Sequence, residues 1–223
     1  MKNEVKKSVI SRRLFVGGSM ASAAVLAGCQ ATPIAGPPAF GSRRYHSLAY
    51  SAKPNEKFPL PQIDIEGVNR RFLRQRVDYK TKEKPGTIVV EPRNHYLYFV
   101  EGNGKAIRYG VGVGRAGFSW SGRARIGHKR QWPTWTPPAS MIRREPHLKK
   151  WAKGMPPSLK NPLGARALYL YQGGRDTLYR LHGTNNPKSI GKSLSSGCVR
   201  LWNQDIVDLY NRAKVGARVV VKS

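Results

Sequence analysis

Short runs of β-branched and aromatic residues recur from residue 85 to the end of the chain, and they constrain the fold more than any other feature. Turns that contain glycine separate several of them, as at residues 101–104 and 172–176. This pattern predicts short strands joined in part by hairpins. The predicted strands lie at residues 87–91, 95–100, 106–113, 166–171, 177–181 and 217–221. The sequence therefore predicts a single, mainly β domain over residues 85–223.

One segment of this domain predicts a clear helix, at residues 203–213. Asn203 is a plausible N-cap, and Asp205 in the first turn complements the helix dipole. Four apolar residues then share one face of the helix: Ile206, Leu209, Tyr210 and Ala213. Residues 114–165 are different, because they are rich in Gly, Pro, Trp and Arg and show no sustained period. A segment of that length inside a domain is usually functional, and we expect it to form the walls of a substrate cleft.

The first 28 residues are typical of an export signal. Residues 1–13 are basic, and residues 14–28 are uncharged and shorter than the roughly 20 residues that span a bilayer. Residues 11–15 (SRRLF) resemble the twin-arginine motif, and residues 26–29 (LAGC) resemble a bacterial lipobox. The lipobox resemblance implies cleavage before Cys29 and acylation of that cysteine. We therefore expect a periplasmic or cell-envelope protein that is anchored to a membrane through Cys29.

The charge of the chain limits the kind of partner. It carries 40 Lys and Arg against 12 Asp and Glu, a formal net charge of +28, which favours a polyanionic partner. Export makes nucleic acid an unlikely choice and favours the anionic cell wall and membrane surface. Prolines and glycines over residues 29–66 predict a flexible tether, and residues 67–84 predict a basic arm that packs lightly on the domain.

The two cysteines are not expected to pair, because Cys29 is the predicted lipidation site. Cys198 is then the one remaining thiol, and His182 precedes it by sixteen positions within a segment rich in small residues. A catalytic thiol needs a neighbouring base and uncovered backbone amides for an oxyanion. Arg200 would add positive potential or meet a substrate carboxylate. From the residues alone, a buried structural cysteine and an unrelated histidine stay equally open.

The motif at residues 182–203 identifies a family. It reads HGT at residues 182–184 and SSGCVRLWN at residues 195–203, and it resembles the signature of the L,D-transpeptidase (YkuD-type) catalytic domain of bacterial cell-wall enzymes. The resemblance covers about residues 86–222. It implies that domain's mixed β-sheet fold and a cysteine acyltransferase that acts on peptidoglycan stem peptides.

The resemblance also implies a role for each residue of the motif. Cys198 would be the nucleophile and His182 the base, with the carbonyl of Gly183 orienting the imidazole. The amides of Gly197 and Cys198 would form the oxyanion hole. The expected substrate-binding residues are Arg200, Thr184, Ser195 and Trp135.

The implied reaction releases D-alanine from a stem tetrapeptide through a thioester and needs neither a metal nor a cofactor. The acyl group would pass to an amine of a second stem peptide or of a wall-anchored lipoprotein. Two alternatives remain open: a carboxypeptidase that uses water as acceptor, and a non-catalytic wall-binding protein.

Overall fold

The computed structural model describes residues 36–115, 120–195 and 197–223, without the side chain of Ser195. The predicted signal peptide, the lipidation site at Cys29 and the first part of the predicted tether lie outside the described residues. Residues Pro37–Ser223 form one compact unit. Among the helices described, none has the length and apolar character needed to cross a bilayer.

The described part of the chain contains eleven strands and three α-helices. The helices are α1 (Arg43–Ala49), α2 (Ala139–Arg144) and α3 (Asn203–Arg212). The strands are β1 (Gln75–Asp78), β2 (Ile88–Glu91), β3 (Tyr96–Gly102), β4 (Lys105–Gly110), β5 (Val113–Gly114), β6 (Gly122–Gln131), β7 (Arg166–Gln172), β8 (Arg175–His182), β9 (Ser193–Ser195), β10 (Val199–Arg200) and β11 (Arg218–Val221). Short 3₁₀ turns lie at Arg70–Phe72, Pro92–Asn94, Pro146–Trp151 and Pro187–Ser189.

Nine of these strands form one mixed sheet in the order β1-β4-β3-β2-β11-β6-β7-β8-β10, and β5 pairs with β9 in a second, small sheet. Strand β11 runs parallel to β2, and β10 runs parallel to β8. The other neighbours in the large sheet are antiparallel. The prediction of a mainly β domain with a mixed sheet is confirmed.

Helix α3 packs its apolar face on the sheet and closes the main core. Ile206 and Leu209 are completely buried against sheet residues such as Leu168 and Leu170. Burial of side chains of this size stabilises the fold by about 1.5–3 kcal/mol each. The helix agrees with the one predicted at residues 203–213.

Strand β6 lies within residues 114–165, where the sequence predicted no strand. It occupies a central position in the sheet, between β11 and β7. Ala124 and Ile126 face the core while Arg123 and Arg125 are exposed, as expected for alternating sides of a strand. A register irregularity between Ile126 and His128 then breaks the alternation. Basic residues on the outer face and this irregularity hide the strand from a search for apolar periodicity.

The predicted tether is wrong for the described residues up to 66. Tyr50 is completely buried, and its ring meets Trp202 edge-on at a centroid distance of 5.5 Å. Leu60 is 2% exposed and packs in a cluster with Trp132. These few large apolar residues bury enough surface to hold a proline-rich segment against the domain.

The basic arm predicted at residues 67–84 is also wrong as a lightly packed segment. Strand β1 lies in this range and pairs with β4 at the edge of the large sheet. Phe72 and Leu73 are buried just before it, together with the guanidinium of Arg74. A four-residue edge strand with charged side chains is too short to produce a recognisable pattern in the sequence.

A buried group of polar side chains joins this N-terminal part to α3. The Arg74 guanidinium lies 2.6 Å from Asp208 Oδ1 and 3.7 Å from Asp205 Oδ1. The Tyr50 hydroxyl donates a hydrogen bond to Asp205 Oδ2 at 3.0 Å and accepts one from the backbone N–H of Arg74 at 2.7 Å. The first helical turn of α3 is therefore fixed by residues that precede the β domain.

The buried Asp205 predicts a pH dependence of stability. Burial raises its pKa from 3.8 to about 7, although the Arg74 charge and the Tyr50 hydrogen bond oppose the shift. Because the folded pKa exceeds the unfolded one, this group's contribution to stability is complete below about pH 4 and is lost as the pH rises to about 7. We expect Asp205→Asn to remove that loss, as measured by the free energy of urea unfolding across this range.

The matched control is Asp78→Asn, because the Asp78 side chain is 84% exposed. It should leave the pH profile of stability unchanged. An Asp205→Asn profile that still follows the wild type would show that Asp205 does not titrate between the two states.

Candidate active site

The pairing of two short strands places the two predicted catalytic residues at the same edge of the large sheet. His182 ends β8, and Cys198 directly precedes β10, which runs parallel to the end of β8 with Arg200 opposite His182. The Cys198 thiol lies against the same strand, with Sγ 3.7 Å from the carbonyl oxygen of Leu178. Residues sixteen positions apart thus lie on neighbouring strands at one edge of the sheet.

The imidazole of His182 is buried and held by the backbone next to it. His182 is only 4% exposed, and its Nδ1 lies 2.6 Å from the carbonyl oxygen of Gly183. A carbonyl can only accept, so Nδ1 carries the proton and Nε2 keeps its lone pair. The ring is therefore in the tautomer that carries its proton on Nδ1.

Burial keeps the imidazole of His182 neutral. Burial and, second to it, the positive charge of Arg200 lower the pKa of His182 to about 3. The hydrogen bond to the carbonyl of Gly183 favours the charged form but does not offset these causes. At neutral pH the imidazole therefore carries no extra proton.

The thiol of Cys198 is also uncharged at rest. Although Cys198 is partly accessible, the protein packed around it raises its pKa above the ordinary 9.0. A hydrogen bond from the backbone of Arg180 and the charges of Arg180 and Arg200 lower the pKa, without reversing the shift. At neutral pH the two groups are therefore a thiol and a neutral imidazole.

This resting state predicts slow alkylation of Cys198 at neutral pH. We expect its reaction with iodoacetamide to be slower at pH 7 than that of glutathione and to accelerate as the pH rises past 9, because the thiolate is the reactive form. Mass spectrometry of the peptide that contains Cys198 measures the rate. A fast rate that persists down to pH 5 would instead indicate a preformed thiolate–imidazolium pair.

The glycines of the motif occupy positions that exclude other residues. Gly197 is buried and has a φ of +127°, in the region that favours glycine. A Cβ on Gly183 would clash with the Asn203 side chain and approach the backbone of Ala165. Backbone conformation at Gly197 and close packing at Gly183 therefore favour glycine at the two positions.

Two of the predicted substrate-binding residues differ in their setting. Arg200 is half-buried in β10, and its backbone pairs with Gly112 on the side away from β8. Thr184 is only 3% exposed, and its hydroxyl accepts a hydrogen bond from the N–H of Asn186 at 3.0 Å. This geometry favours a structural role for the Thr184 hydroxyl within the turn.

The other two are described less completely. Trp135 is half-buried, and its backbone pairs with that of Met155. Ser195 pairs through its backbone with Gly114 in the small sheet, and its side chain lies outside the description. Their roles toward a substrate stay predictions.

Strand β8 is irregular beside the thiol, which the sequence did not indicate. Leu178 is 67% exposed and has a φ of +61°, an uncommon conformation for a branched residue. Its N–H is held by Asp176 Oδ1 at 2.8 Å, and the same carboxylate pairs with Arg180. The irregularity directs the Leu178 carbonyl toward Cys198.

The prediction that Asn203 caps helix α3 is wrong. The N-cap position of α3 belongs to Trp202, and the Asn203 side chain instead contacts the backbone of Ala165 and Thr184. The sequence offered one signal for these contacts, the position of Asn203 as the last residue of the motif. That signal indicated a helix start equally well.

Over residues 36–115, 120–195 and 197–223, no group of three or more His, Cys, Asp or Glu side chains could hold a metal ion. The neighbouring strands β8 and β10 carry or adjoin a histidine and a thiol, which are the two groups that nucleophilic attack by a cysteine uses.

The sequence of this domain is shared with known proteins. Residues 85–221 match the model of the YkuD family, the L,D-transpeptidase catalytic domain. Probable L,D-transpeptidase YbiS of Escherichia coli (strain K12) is 35% identical over 144 residues, which are 60% of this chain and 43% of that protein. Putative L,D-transpeptidase YqjB of Bacillus subtilis (strain 168) is 44% identical over 62 residues, 27% of this chain and 35% of that one.

A solved structure from Brucella melitensis, described as a probable carnitine operon oxidoreductase, is 45% identical and covers 71% of this chain and 99% of its own. Its TM-score of 0.49 is too low to support an argument about the fold. The chain spans less than half of the E. coli relative, because the matched residues cover 43% of that protein's length. The family model, in contrast, covers most of the chain and contains both His182 and Cys198. The chain therefore belongs to the L,D-transpeptidase catalytic-domain family.

Proposed function

We propose that this protein is a peptidoglycan L,D-transpeptidase that forms a thioester between Cys198 and a stem tetrapeptide. The observation that carries the proposal is the meeting of β8 and β10, which puts Cys198 beside the strand that ends in His182. Membership of the family supports the peptide substrate.

In the first half of the reaction, the sulfur of Cys198 attacks the carbonyl carbon of the amide that precedes the terminal D-alanine. The thiol proton passes to Nε2 of His182, which the bond between Nδ1 and the Gly183 carbonyl leaves available. The amides of Gly197 and Cys198 stabilise the oxyanion. His182 then protonates the leaving amine, the C–N bond breaks, and D-alanine departs from the thioester.

In the second half, an amine of another stem peptide or of a wall-anchored lipoprotein attacks the thioester. His182 removes a proton from that amine, the C–S bond breaks, and the thiol of Cys198 is restored with the proton. Arg200, half-buried in β10, supports the site or meets a substrate carboxylate. The thiol gives its proton to the leaving amine and regains one from the acceptor amine, both through His182, and no step changes an oxidation state.

We further propose that residues 1–28 direct export and that acylated Cys29 holds the enzyme at a membrane facing the wall. The net charge of +28 supports an anionic envelope surface as its surroundings. Metabolic labelling with a palmitate analogue, compared between wild type and Cys29→Ser, tests the anchor.

The test of the function is mass spectrometry of a disaccharide tetrapeptide incubated with the purified protein. With an added stem-peptide amine we expect loss of D-alanine and a crosslinked dimer, and an intermediate whose mass equals the protein plus the acyl group. A tripeptide product alone would indicate a carboxypeptidase. Binding to sacculi without turnover would indicate a non-catalytic wall-binding protein and would refute the proposal.

A further inference from the structure

The side-chain amide of Asn203 joins two backbone segments beside the active site. Its Oδ1 accepts hydrogen bonds from the N–H of Ala165 at 3.0 Å and of Thr184 at 3.3 Å. Its Nδ2 donates to the carbonyl of Thr184 at 3.0 Å. These three bonds use the amide on other parts of the chain, and for that reason it does not cap the helix that it begins.

Both segments pack directly on this amide. A Cβ added to Gly164 or to Gly183 would clash with Oδ1 of Asn203. Gly164 also has a φ of +61°, which favours glycine. The absence of side chains at these two positions lets the backbone approach the amide closely enough to bond with it.

One of these bonds acts on the group that orients His182. The N–H of Thr184 and the carbonyl of Gly183 belong to the same peptide unit, which is planar and rigid. The N–H end of that unit bonds to Asn203 Oδ1, and the carbonyl end bonds to Nδ1 of His182 at 2.6 Å. Rotation of the unit would break both bonds together, so fixing one end fixes the direction of the other.

We propose that Asn203 is a positioning residue, whose amide locks the peptide unit between Gly183 and Thr184 and thereby holds His182 in the tautomer with its proton on Nδ1. Asn203 thus supplies, through a backbone carbonyl, the orientation that a third side chain gives in a catalytic triad. The inference rests on the proposed function, because it concerns the base of that reaction.

The neighbours of Asn203 keep the amide in place. The indole N–H of Trp202 donates to the carbonyl of Pro187 at 3.1 Å. The side chain of Gln204, which is 1% exposed, donates to the carbonyl of Pro61 at 2.8 Å. Gln204 is therefore a matched control: an adjacent buried amide at the same helix start, bonded to the N-terminal segment and not to the peptide unit that contacts His182.

The first experiment compares Asn203→Ala with Gln204→Ala in the full chain. For Asn203→Ala we expect kcat for release of D-alanine to fall by about 100-fold with KM little changed, because the base loses its fixed geometry. The ¹⁵N chemical shifts of His182 should change from the pure Nδ1–H form to a mixture of tautomers. Gln204→Ala should lower the melting temperature about as much as Asn203→Ala does, and it should keep the single tautomer of His182.

The second experiment uses Asn203→Asp, which keeps the size of the side chain. A protonated carboxyl offers one acceptor and one O–H donor, as the amide does, whereas the ionised carboxylate has no donor for the Thr184 carbonyl. We expect the kcat of this variant, relative to wild type, to be higher at pH 5 than at pH 8. A purely structural role would not produce this rescue by protonation.

The outcomes separate the two proposals. If Cys198→Ala is inactive while Asn203→Ala keeps wild-type kcat and a single tautomer, the positioning role is overturned and the proposed function stands. If Asn203→Ala fails to fold, an Asn203→Asp ratio that is the same at both pH values overturns the role. If Cys198→Ala is fully active, the proposed function itself fails.

Discussion

Replacing Cys198 with alanine is expected to abolish release of D-alanine from a disaccharide tetrapeptide, a loss of at least about 10⁴-fold in kcat. The sulfur forms the covalent bond in the proposed mechanism, and a methyl group cannot replace it. The side chain is small and partly accessible, so the melting temperature and the binding to sacculi should stay near those of wild type. Amino-acid analysis of released D-alanine measures the effect.

The chain provides its own control in the other cysteine. Cys29→Ser should keep full activity on the soluble substrate, since Cys29 lies outside the catalytic domain that residues 85–221 match. Activity of Cys198→Ala comparable to that of Cys29→Ser would rule out the thioester. Loss of activity in both variants would point to damage that does not involve the nucleophile.

Replacing Arg74 with methionine is expected to destabilise the fold by about 3–5 kcal/mol at pH 8, because it leaves buried carboxylates without their cation. The Arg74 side chain is 6% exposed and the Asp205 side chain 0% exposed. At pH 5 the loss should be smaller, since burial raises the pKa of Asp205 to about 7 and the protonated carboxyl needs no cation. Urea unfolding at the two pH values measures both effects.

Arg76→Met is the matched control, two residues further along the same segment. Its guanidinium pairs with Glu101 at 2.7 Å but the side chain is 52% exposed. An exposed pair of this kind contributes little to stability because solvent screens it, and its removal should cost far less than that of Arg74. Equal losses for the two variants would contradict the view that the buried cluster ties the N-terminal part to α3.

The sequence was informative wherever a local pattern decides the structure. The runs at residues 88–91 and 96–102 are strongly β-forming and became neighbouring strands. The apolar spacing of Ile206 and Leu209 predicted α3, and both residues are buried. The small residues around His182 and Cys198 pointed to the site because close backbone approach requires them.

Other features depend on contacts between distant residues and had no local signal. Strand β6 has four arginines and lysines, and only its partners β7 and β11 make it a central strand. Tyr50 is one aromatic residue among prolines, and its burial depends on Trp202, far along the chain. The bonds of Asn203 to Ala165 and Thr184 likewise join positions that only the folded chain brings together.

The position of β11 has a consequence for how the protein forms. The last strand lies between β2 and β6 and pairs in parallel with β2, so Val219 meets Ile88 across about three-fifths of the chain. Strand pairings this remote in sequence slow folding, because the long intervening loop has to close first. The middle of the sheet therefore forms only after residues 218–221 have been synthesised. Until β11 pairs, the edge of β2 that faces away from β3 has no strand partner in this sheet.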